Sequence, residues 1–262
     1  EAKLQFLFNI AHEIRTPMCL ILNPLKNLIA TDGDQERQRQ YHIINRNTNR
    51  LLQLVNQLMD LRKLDKGQMK LNFIVTDLVT FVRQVIALFE EQIEEKGIKF
   101  RLYVVPSTIE VCIDQHNFDK VLVNLMANAL KYTPSGGSIT LNLRSEGDGI
   151  HIELSDNGPG IPEAEQKHIF EQFYRINTPQ NQAISGTGLG LHLVQLLVTL
   201  HHGTIEVHNR QTGQGTCFSI TLPHPDHFPE TLSTSAVPYT SEEKTICAQP
   251  SVPETAHHHR SE

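Results

Sequence analysis

Two adjacent seams of apolar residues run along the first thirty positions of the chain. One seam follows a spacing of four and three residues and is interrupted only by Arg15, and the other lies directly beside it. The first consists of Leu4, Phe8, Ala11, Met18, Leu22, Leu25 and Ile29, and the second of Leu7, Ile14, Ile21 and Leu28. Together they predict a helix whose apolar arc is wider than a two-stranded coiled coil needs and fits a four-helix bundle.

A second helix repeats this pattern after the turn-like segment 31–35. Its apolar positions are Ile44, Leu51, Leu54, Leu58 and Leu61, flanked by Leu52, Val55 and Met59. Two helices alone cannot bury both arcs. We therefore expect a homodimer whose two helical hairpins form one four-helix bundle.

The sequence pattern changes near Leu71, after Gly67 ends the second helix. Helical patterns alternate with β-type patterns, which predicts an α+β sandwich with helices on one face of a mixed sheet. The predicted helices are 77–96, 114–132 and 189–202, and the predicted strands are 99–104, 110–113, 138–144, 150–155, 204–208 and 216–222. From these patterns we expect a hairpin at 1–68, an α+β domain at 69–225, and a flexible linker or tail at 226–262 that is rich in Pro, Ser, Thr and His.

The charge and cysteine content exclude several classes. A net charge of −6 means that the chain has no excess of basic residues with which to bind nucleic acid or an anionic membrane. Four widely spaced cysteines without a CxxC pair argue against a zinc site or a disulfide framework and favour a reducing compartment. The sequence shows no membrane span and no signal peptide, and it begins inside a helical pattern. We therefore expect a fragment, with any sensor or membrane segment upstream.

The motifs of P-loop ATPases and of Ser/Thr protein kinases are missing. Instead, the helix predicted at 114–132 carries Asn124, Asn128 and Lys131 at i, i+4 and i+7, which places two amides and an ammonium on one face. An asparagine oxygen is a suitable Mg²⁺ ligand, and a lysine beside it can meet phosphate charge. The alternative is that these side chains only solvate an amphipathic helix.

Two glycine-containing loops follow. DNGPGIP (156–162) ends an alternating strand, and its Asp156 is placed to accept a hydrogen bond from an exocyclic amine such as that of adenine. GTGLGL (186–191) leads into a helix and exposes backbone N–H groups suited to phosphate oxygens. The polar segment 163–185 between them is typical of a mobile lid. Each loop alone is weak evidence, because ordinary turns look similar.

The first helix contains HEIRTP (12–17), in which His12 lies outside the apolar arc. A neutral imidazole is a good nucleophile near neutral pH, and a neighbour is needed to hold its tautomer and manage its proton. Glu13 is adjacent, and Thr16 lies one turn on, at i+4, where its hydroxyl shares the face of His12. A solvated surface histidine is the alternative interpretation.

These motifs together resemble the conserved boxes of sensor histidine kinases. HEIRTP is similar to the H box, and NLMANALKYTPSGG, DNGPGIP, IFEQFYR and GTGLGL, in this order, to the N, G1, F and G2 boxes. The resemblance implies a Bergerat-type nucleotide fold of the wider Hsp90, gyrase and MutL superfamily. It implies that Asn128 ligates Mg²⁺, that Asn124 and Lys131 contact phosphates, that Tyr132 packs on the base and that Asp156 binds adenine. The implied pocket and lid residues are Gly158, Gly160, Gly186, Thr187, Gly188, Leu189 and Gly190.

The resemblance also implies a function. With ATP and Mg²⁺ as cofactors, the chain would phosphorylate its own His12, with Glu13 and Thr16 as catalytic neighbours, and pass the phosphoryl group to an aspartate of a response-regulator receiver domain. That receiver would be a separate protein or part of the same full-length chain, as in hybrid kinases, and Thr16 would support dephosphorylation. The resemblance places the chain in the cytoplasmic portion of a membrane-bound bacterial sensor. Two alternatives remain open: an ATPase that clamps a dimer, and a degenerate docking module.

Overall fold

The computed structural model describes residues 2–147, 149–176, 186–210 and 214–227, with side chains from residue 14 onward. Its first part is a helical hairpin made of α1 (Ala2–Thr31) and α2 (Gln35–Asp65). Asp34 caps α2, since its carboxylate accepts a hydrogen bond of 2.9 Å from the backbone N–H of Arg37. The two predicted helices and the turn between them are confirmed.

Where the side chains of α1 are described, from residue 14 onward, the first seam is more buried than the second. Leu22 and Leu25 of the first seam are buried, as is Val55 on α2. By contrast, Ile21 and Leu28 of the second seam are 42% and 44% exposed. One hairpin therefore covers only part of its apolar arc and leaves a continuous apolar face available to a second hairpin.

The second part of the chain alternates strands with helices. Its elements are β1 (Ile74–Asp77), α3 (Leu78–Ala87), α4 (Glu90–Glu95), β2 (Lys99–Val105), β3 (Glu110–Ile113), α5 (Gln115–Tyr132), β4 (Ser138–Glu146), β5 (Gly149–Asp156), α6 (Glu163–Gln166), α7 (Gly190–Leu200), β6 (Thr204–Asn209) and β7 (Thr216–Pro223). A 3₁₀ turn, Pro225–His227, follows β7. No helix among the described residues combines the length and apolar composition that crossing a bilayer requires.

The main sheet has five strands in the order β2-β4-β5-β7-β6. Only β2 and β4 run parallel, so the sheet is mixed, as the sequence predicts. Along β4 and β5 buried residues alternate with partly exposed ones, which turns one face of the sheet towards a core. Residues of α3, α5 and α7 fill that core, including Val82, Phe118 and Leu193. The predicted order of hairpin and α+β sandwich is confirmed.

Two predicted elements differ in detail. The helix expected at 77–96 is divided into α3 and α4, because the backbone N–H groups of Leu88 and Phe89 bond to carbonyls three residues back and tighten the chain. Phe89 turns into the core at this break, with 7% of its surface exposed. The strand β3 lies outside the main sheet and pairs antiparallel with β1, a four-residue strand that the sequence analysis did not predict.

Candidate functional site: a nucleotide cleft against the hairpin

A cleft of about 410 Å³ lies between four parts of the chain. They are α5, the loop after β5, the segment 186–190 at the start of α7, called the glycine segment below, and α2 of the hairpin. It brings together ten of the twelve residues that the sequence motifs assign to nucleotide binding. They are Asn124, Asn128, Lys131, Tyr132, Asp156, Gly160, Gly186, Thr187, Gly188 and Gly190. The remaining two, Gly158 and Leu189, do not line it and are buried behind it.

Asp156 ends β5 with only 5% of its surface exposed. Its Oδ1 accepts hydrogen bonds from the backbone N–H groups of Gly158 at 2.8 Å and of Thr216 at 3.4 Å. Burial raises the pKa of the Asp156 carboxyl above its usual range, although these two N–H groups and the charge of Arg210 oppose the rise. The result is a buried acceptor, fixed in orientation, at one wall of the cleft.

Gly158 is required by the fold around Asp156. A Cβ atom at this position would lie 2.9 Å from Oδ1 of Asp156 and 2.9 Å from the carbonyl oxygen of Tyr132, which is too close for any side chain. Gly158 therefore allows its own backbone to pass close to the Asp156 carboxylate and the Tyr132 carbonyl.

The α5 helix presents a polar face to the cleft and an apolar face to the core. Asn124 and Asn128 are half-buried at the cleft, whereas Val121 and Leu125 are buried behind them. The helix begins at Asp114, whose Oδ1 accepts from the backbone N–H of Asn117 at 2.9 Å. The spacing at i, i+4 and i+7 therefore delivers the polar face that the sequence predicts.

Lys131 and Tyr132 lie side by side at the C-terminal end of α5. The Lys131 Nζ sits 4.7 Å from the centroid of the Tyr132 ring, a cation–π distance. A Cβ atom at Gly186 would lie 2.8 Å from the same Nζ, so the glycine leaves room for the ammonium at the mouth of the cleft. An ammonium in this place can meet an anionic ligand.

The glycine segment packs against and hydrogen-bonds to the IFEQFYR segment (169–175). Gly188 has a φ of +71°, and a Cβ atom there would lie 2.5 Å from the carbonyl carbon of Phe173. The backbone N–H of Phe173 donates to the carbonyl of Gly188 at 3.0 Å. Only glycine fits this position, because both the backbone conformation and the space require it.

The lid predicted at 163–185 is only partly described, since residues 177–185 lie outside the described chain. Its first part contains the short helix α6. The hydroxyl of Tyr174 donates to the carboxylate of Glu165, and Nδ1 of His168 lies 2.7 Å from Oε1 of Glu171. These contacts fold the segment over the side of the cleft that Tyr174 lines.

The donor set fits a magnesium ion that arrives with phosphate. In the part of the chain that the structure describes, no group of three or more His, Cys, Asp or Glu side chains could hold a metal. Asn128 contributes one amide oxygen at the cleft. Mg²⁺ accepts such a site, because it takes few protein ligands and completes its octahedron with phosphate oxygens and water.

The acceptor motif lies on α1 at the other side of the hairpin. His12 and Glu13 belong to this helix, but their side chains lie outside the described part. Thr16 is exposed one turn further on. The helix continues without interruption through this motif and through Pro17.

The residues that α2 contributes to the cleft were not predicted from the sequence. Arg50, Gln53 and Gln57 line it from the hairpin side. Their spacing of i, i+3 and i+7 marks one polar face of α2, but such a face is ordinarily solvated, so nothing in the sequence pattern distinguishes it from a solvent-exposed surface. Thr216 was also missed, because its bond to Asp156 joins residues 60 positions apart.

The fold and the cleft define an ATP-binding domain of a known class. Residues 113–226 match the family described as histidine kinase-, DNA gyrase B-, and HSP90-like ATPase. Residues 2–67 match the His Kinase A (phospho-acceptor) domain, which supplies the hairpin. With both domains in this order, the chain belongs to the sensor histidine kinases, and the resemblance seen in the sequence is confirmed.

Individual relatives support this assignment. The chain is 37% identical over 229 residues to hybrid signal transduction histidine kinase D of Dictyostelium discoideum, a match that covers 85% of this chain and 15% of that protein. It is 38% identical over 225 residues to sensor histidine kinase TmoS of Ectopseudomonas mendocina, covering 85% and 23%. The chain thus spans less than a quarter of the length of either relative.

A solved structure shares the architecture. The crystal structure of full-length ShkA in complex with AMPPNP matches with a TM-score of 0.69 and 26% identity, over 91% of this chain and 47% of that one. The ATP analogue in that structure belongs to ShkA. Its presence there agrees with the class of domain to which residues 113–226 belong.

Proposed function

We propose that this chain is the catalytic core of a protein-histidine kinase, which binds Mg-ATP in the cleft and transfers the γ-phosphoryl group to His12. The observation that carries the proposal is the position of the cleft. Gln57 and its neighbours on α2 form one of its walls, so the nucleotide site lies directly against the hairpin whose other helix bears the acceptor motif. A plain ATPase would have no need of this arrangement.

Each cleft residue has a proposed role. The buried carboxylate of Asp156 accepts a hydrogen bond from the adenine amine, and the ring of Tyr132 packs on the base. Asn124 and Lys131 contact phosphate oxygens, while Asn128 holds the metal. The pocket and its loops are shaped by the residues of the two glycine-containing loops, Gly158, Gly160, Gly186, Thr187, Gly188, Leu189 and Gly190. A bound Mg²⁺ would neutralise phosphate charge during transfer.

The transfer itself is an in-line displacement at the γ-phosphorus. A neutral imidazole nitrogen of His12 forms a bond to phosphorus as the bond to the bridging oxygen of ADP breaks, so ADP leaves with that electron pair. The imidazole must give up one proton, and Glu13 beside it is the proposed acceptor. Thr16 is proposed to assist the later removal of phosphate from the partner regulator.

The proposed partners are a second copy of the chain and a response-regulator receiver domain. The exposed second seam of the hairpin, which includes Ile21 and Leu28, is the surface for the second copy. The receiver aspartate would accept the phosphoryl group from His12, in a separate protein or in a hybrid chain. No nucleic-acid partner is proposed, since the chain has a net charge of −6.

We propose the domain limits 1–68 for the hairpin, 69–225 for the ATP-binding domain and 226–262 for a linker, of which residues 228–262 lie outside the described chain. A cytoplasmic location suits a chain that uses ATP and keeps Cys112 and Cys217 as free thiols. Membrane attachment, as in a bacterial sensor, belongs to the same proposal.

Incubation with γ-labelled ATP tests the proposal. We expect label on the protein that is lost in acid and retained in alkali, that maps to His12, and that is absent from His12→Gln and Asn128→Asp variants. ATP hydrolysis without label on the protein would instead indicate an ATPase. Failure to bind or turn over Mg-ATP would indicate a docking module.

A further inference from the structure

The side chain of Gln57 reaches from the hairpin to two groups of the nucleotide cleft. Its Nε2 donates a hydrogen bond of 3.2 Å to Oδ1 of Asn124 on α5. Its Oε1 accepts a long hydrogen bond of 3.5 Å from the hydroxyl of Thr187 in the glycine segment. One amide therefore connects three elements that are far apart in the sequence.

These contacts fix the orientation of the Asn124 amide. While Oδ1 accepts from Gln57, Nδ2 donates to the backbone carbonyl of Lys120 at 2.7 Å. The amide has two N–H hydrogens, so one remains for a ligand in the cleft. Without the donor on Gln57, only the bond to Lys120 would hold the amide, and its oxygen would lack a partner from α2.

The same contacts hold the glycine segment close to α5. A Cβ atom at Gly190 would lie 2.7 Å from Oδ1 of Asn124 and 4.0 Å from Nε2 of Gln57. The start of α7 thus touches the hydrogen-bonded pair directly. Thr187, whose hydroxyl also accepts from the backbone N–H of Leu189 at 3.4 Å, is anchored at the other end of this segment.

We propose that Gln57 is a positioning residue for nucleotide binding: from the hairpin, it holds the Asn124 amide and the Thr187 hydroxyl in the arrangement that receives phosphate groups. The inference rests on the proposed function, because it requires ATP phosphates in this cleft. It adds that the hairpin, through the side chain of Gln57, helps to form the phosphate-binding part of the site. Gln57 acts through Asn124 and Thr187 and need not touch the nucleotide.

A second contact between the domains provides a matched control. Nζ of Lys120 lies 2.8 Å from Oδ2 of Asp60, and the two side chains are 24% and 16% exposed. Asp60 lies three residues after Gln57 on α2, so it supports the same interface. Its carboxylate bonds to the lysine ammonium, whereas Asn124 is held by the backbone carbonyl of that lysine.

The experiment measures the dissociation constant of Mg-ATP by calorimetry in the whole chain. Gln57→Met keeps the length of the side chain and removes both hydrogen bonds. We expect it to raise the dissociation constant about tenfold, which corresponds to about 1.4 kcal/mol. Asp60→Asn should leave the constant within about twofold.

A double-mutant cycle identifies the route of the effect. In an Asn124→Ala background, Gln57→Met should change the dissociation constant by less than about twofold, because the amide oxygen to which Gln57 donates is already absent. An unchanged dissociation constant for Gln57→Met alone would overturn the proposal. So would an equal loss from Asp60→Asn, which would show that general docking matters, or an undiminished loss in the Asn124→Ala background.

The outcomes also separate this proposal from the proposed kinase function. If the unchanged chain binds Mg-ATP but labels no histidine, the kinase function fails while the measurements on Gln57 still decide its role. If the unchanged chain labels His12 and Gln57→Met binds Mg-ATP normally, only the role of Gln57 is refuted. If the unchanged chain binds no Mg-ATP, both proposals are refuted together.

Discussion

Nη2 of Arg15 on α1 donates a hydrogen bond of 2.6 Å to Oδ1 of Asn56 on α2. Arg15 is the residue that interrupts the first apolar seam, and it follows His12 by three positions. Asn56 is adjacent to Gln57, whose side chain contacts the nucleotide cleft. One short stretch of α2 therefore contacts both the acceptor helix and the ATP-binding domain.

The first prediction concerns this bond. Arg15→Met should lower the free energy of unfolding by about 1 kcal/mol, because it removes a hydrogen bond between charged and polar partners at an exposed site. Urea denaturation followed by circular dichroism measures the change. Arg46→Met is the control, since this arginine forms no side-chain hydrogen bond with the described residues and should change stability by less than about 0.5 kcal/mol. Equal effects of the two substitutions would contradict the prediction.

The second prediction concerns the dimer. Ile21→Glu places a charge in the middle of the exposed second seam, so we expect the chain to become monomeric in analytical ultracentrifugation. Leu20→Glu is the matched control. Leu20 is 68% exposed, more than the 42% of Ile21, but it lies outside both seams. The control should stay dimeric, and dissociation of both variants would argue against the seam as the interface.

The local patterns explain why much of this molecule was predictable. Helix periodicity and capping residues act within a few positions, so the hairpin, α5 and its polar face followed from the sequence. The resemblance to the kinase boxes then assigned the metal to Asn128 and supported the adenine role of Asp156, and both roles remain proposals.

The features that were missed depend on contacts between distant residues. Gln57 and Asn124 are separated by 67 positions, and neither has a local signal for the other. The strand β1 is four residues long and exists only through its pairing with β3. The break between α3 and α4 depends on the burial of Phe89 in the core. Tertiary packing decides all three.

The third prediction concerns Asp156. Asp156→Asn should weaken Mg-ATP binding at least tenfold, because the proposed acceptor for the adenine amine loses its charge. It should leave the free energy of unfolding unchanged or raise it, since burial disfavours the ionised carboxyl and an asparagine oxygen can still accept from Gly158 and Thr216. Calorimetry and urea denaturation give the two values. A large loss of stability would show that Asp156 is primarily structural.

The same carboxyl predicts opposite pH effects on binding and folding. Since the folded pKa of Asp156 is raised above 3.8, the folded chain takes up a proton at higher pH than the unfolded chain. As pH falls between the raised value and 3.8, Asp156 therefore contributes increasing stability. Over the same range Mg-ATP affinity should fall, because the ionised acceptor disappears. Affinity that stays constant through this range would contradict the role of Asp156.

The fourth prediction concerns His201, which is fully buried between the rings of Phe73 and Phe118. Its Nδ1 lies 2.7 Å from the carbonyl oxygen of Leu197, and its Nε2 accepts from the backbone N–H of Asp114 at 3.2 Å. This arrangement requires the neutral ring with a hydrogen on Nδ1. Burial lowers the pKa of His201 below 6.5.

The unfolded chain therefore binds more protons at this residue below about pH 6.5, and stability should fall as pH drops from there towards the folded pKa. Urea denaturation at pH 7.5 and 5.5 measures the loss. His201→Gln should reduce the difference between the two values, because glutamine has no proton to gain. His116→Gln, at an exposed position on α5, should preserve it. An unchanged difference in His201→Gln would assign the acid sensitivity to other groups.

The last prediction tests the proposed dimer and the division of labour between the domains. His12→Gln keeps the nucleotide site and lacks the acceptor, whereas Asn128→Asp keeps the acceptor and places a carboxylate against the phosphates. Neither chain alone should become labelled by γ-labelled ATP, and both should dimerise, because neither residue lies in an apolar seam.

Mixing the two variants then produces heterodimers whose labelled chain can be identified by mass. If the ATP-binding domain of one chain serves the hairpin of the other, label returns on the Asn128→Asp chain only. If each domain serves its own hairpin, the heterodimers form and no label returns. In both cases the His12→Gln chain should carry no label, since its acceptor imidazole is gone. Label on that chain would identify a different phosphoacceptor and refute the role proposed for His12.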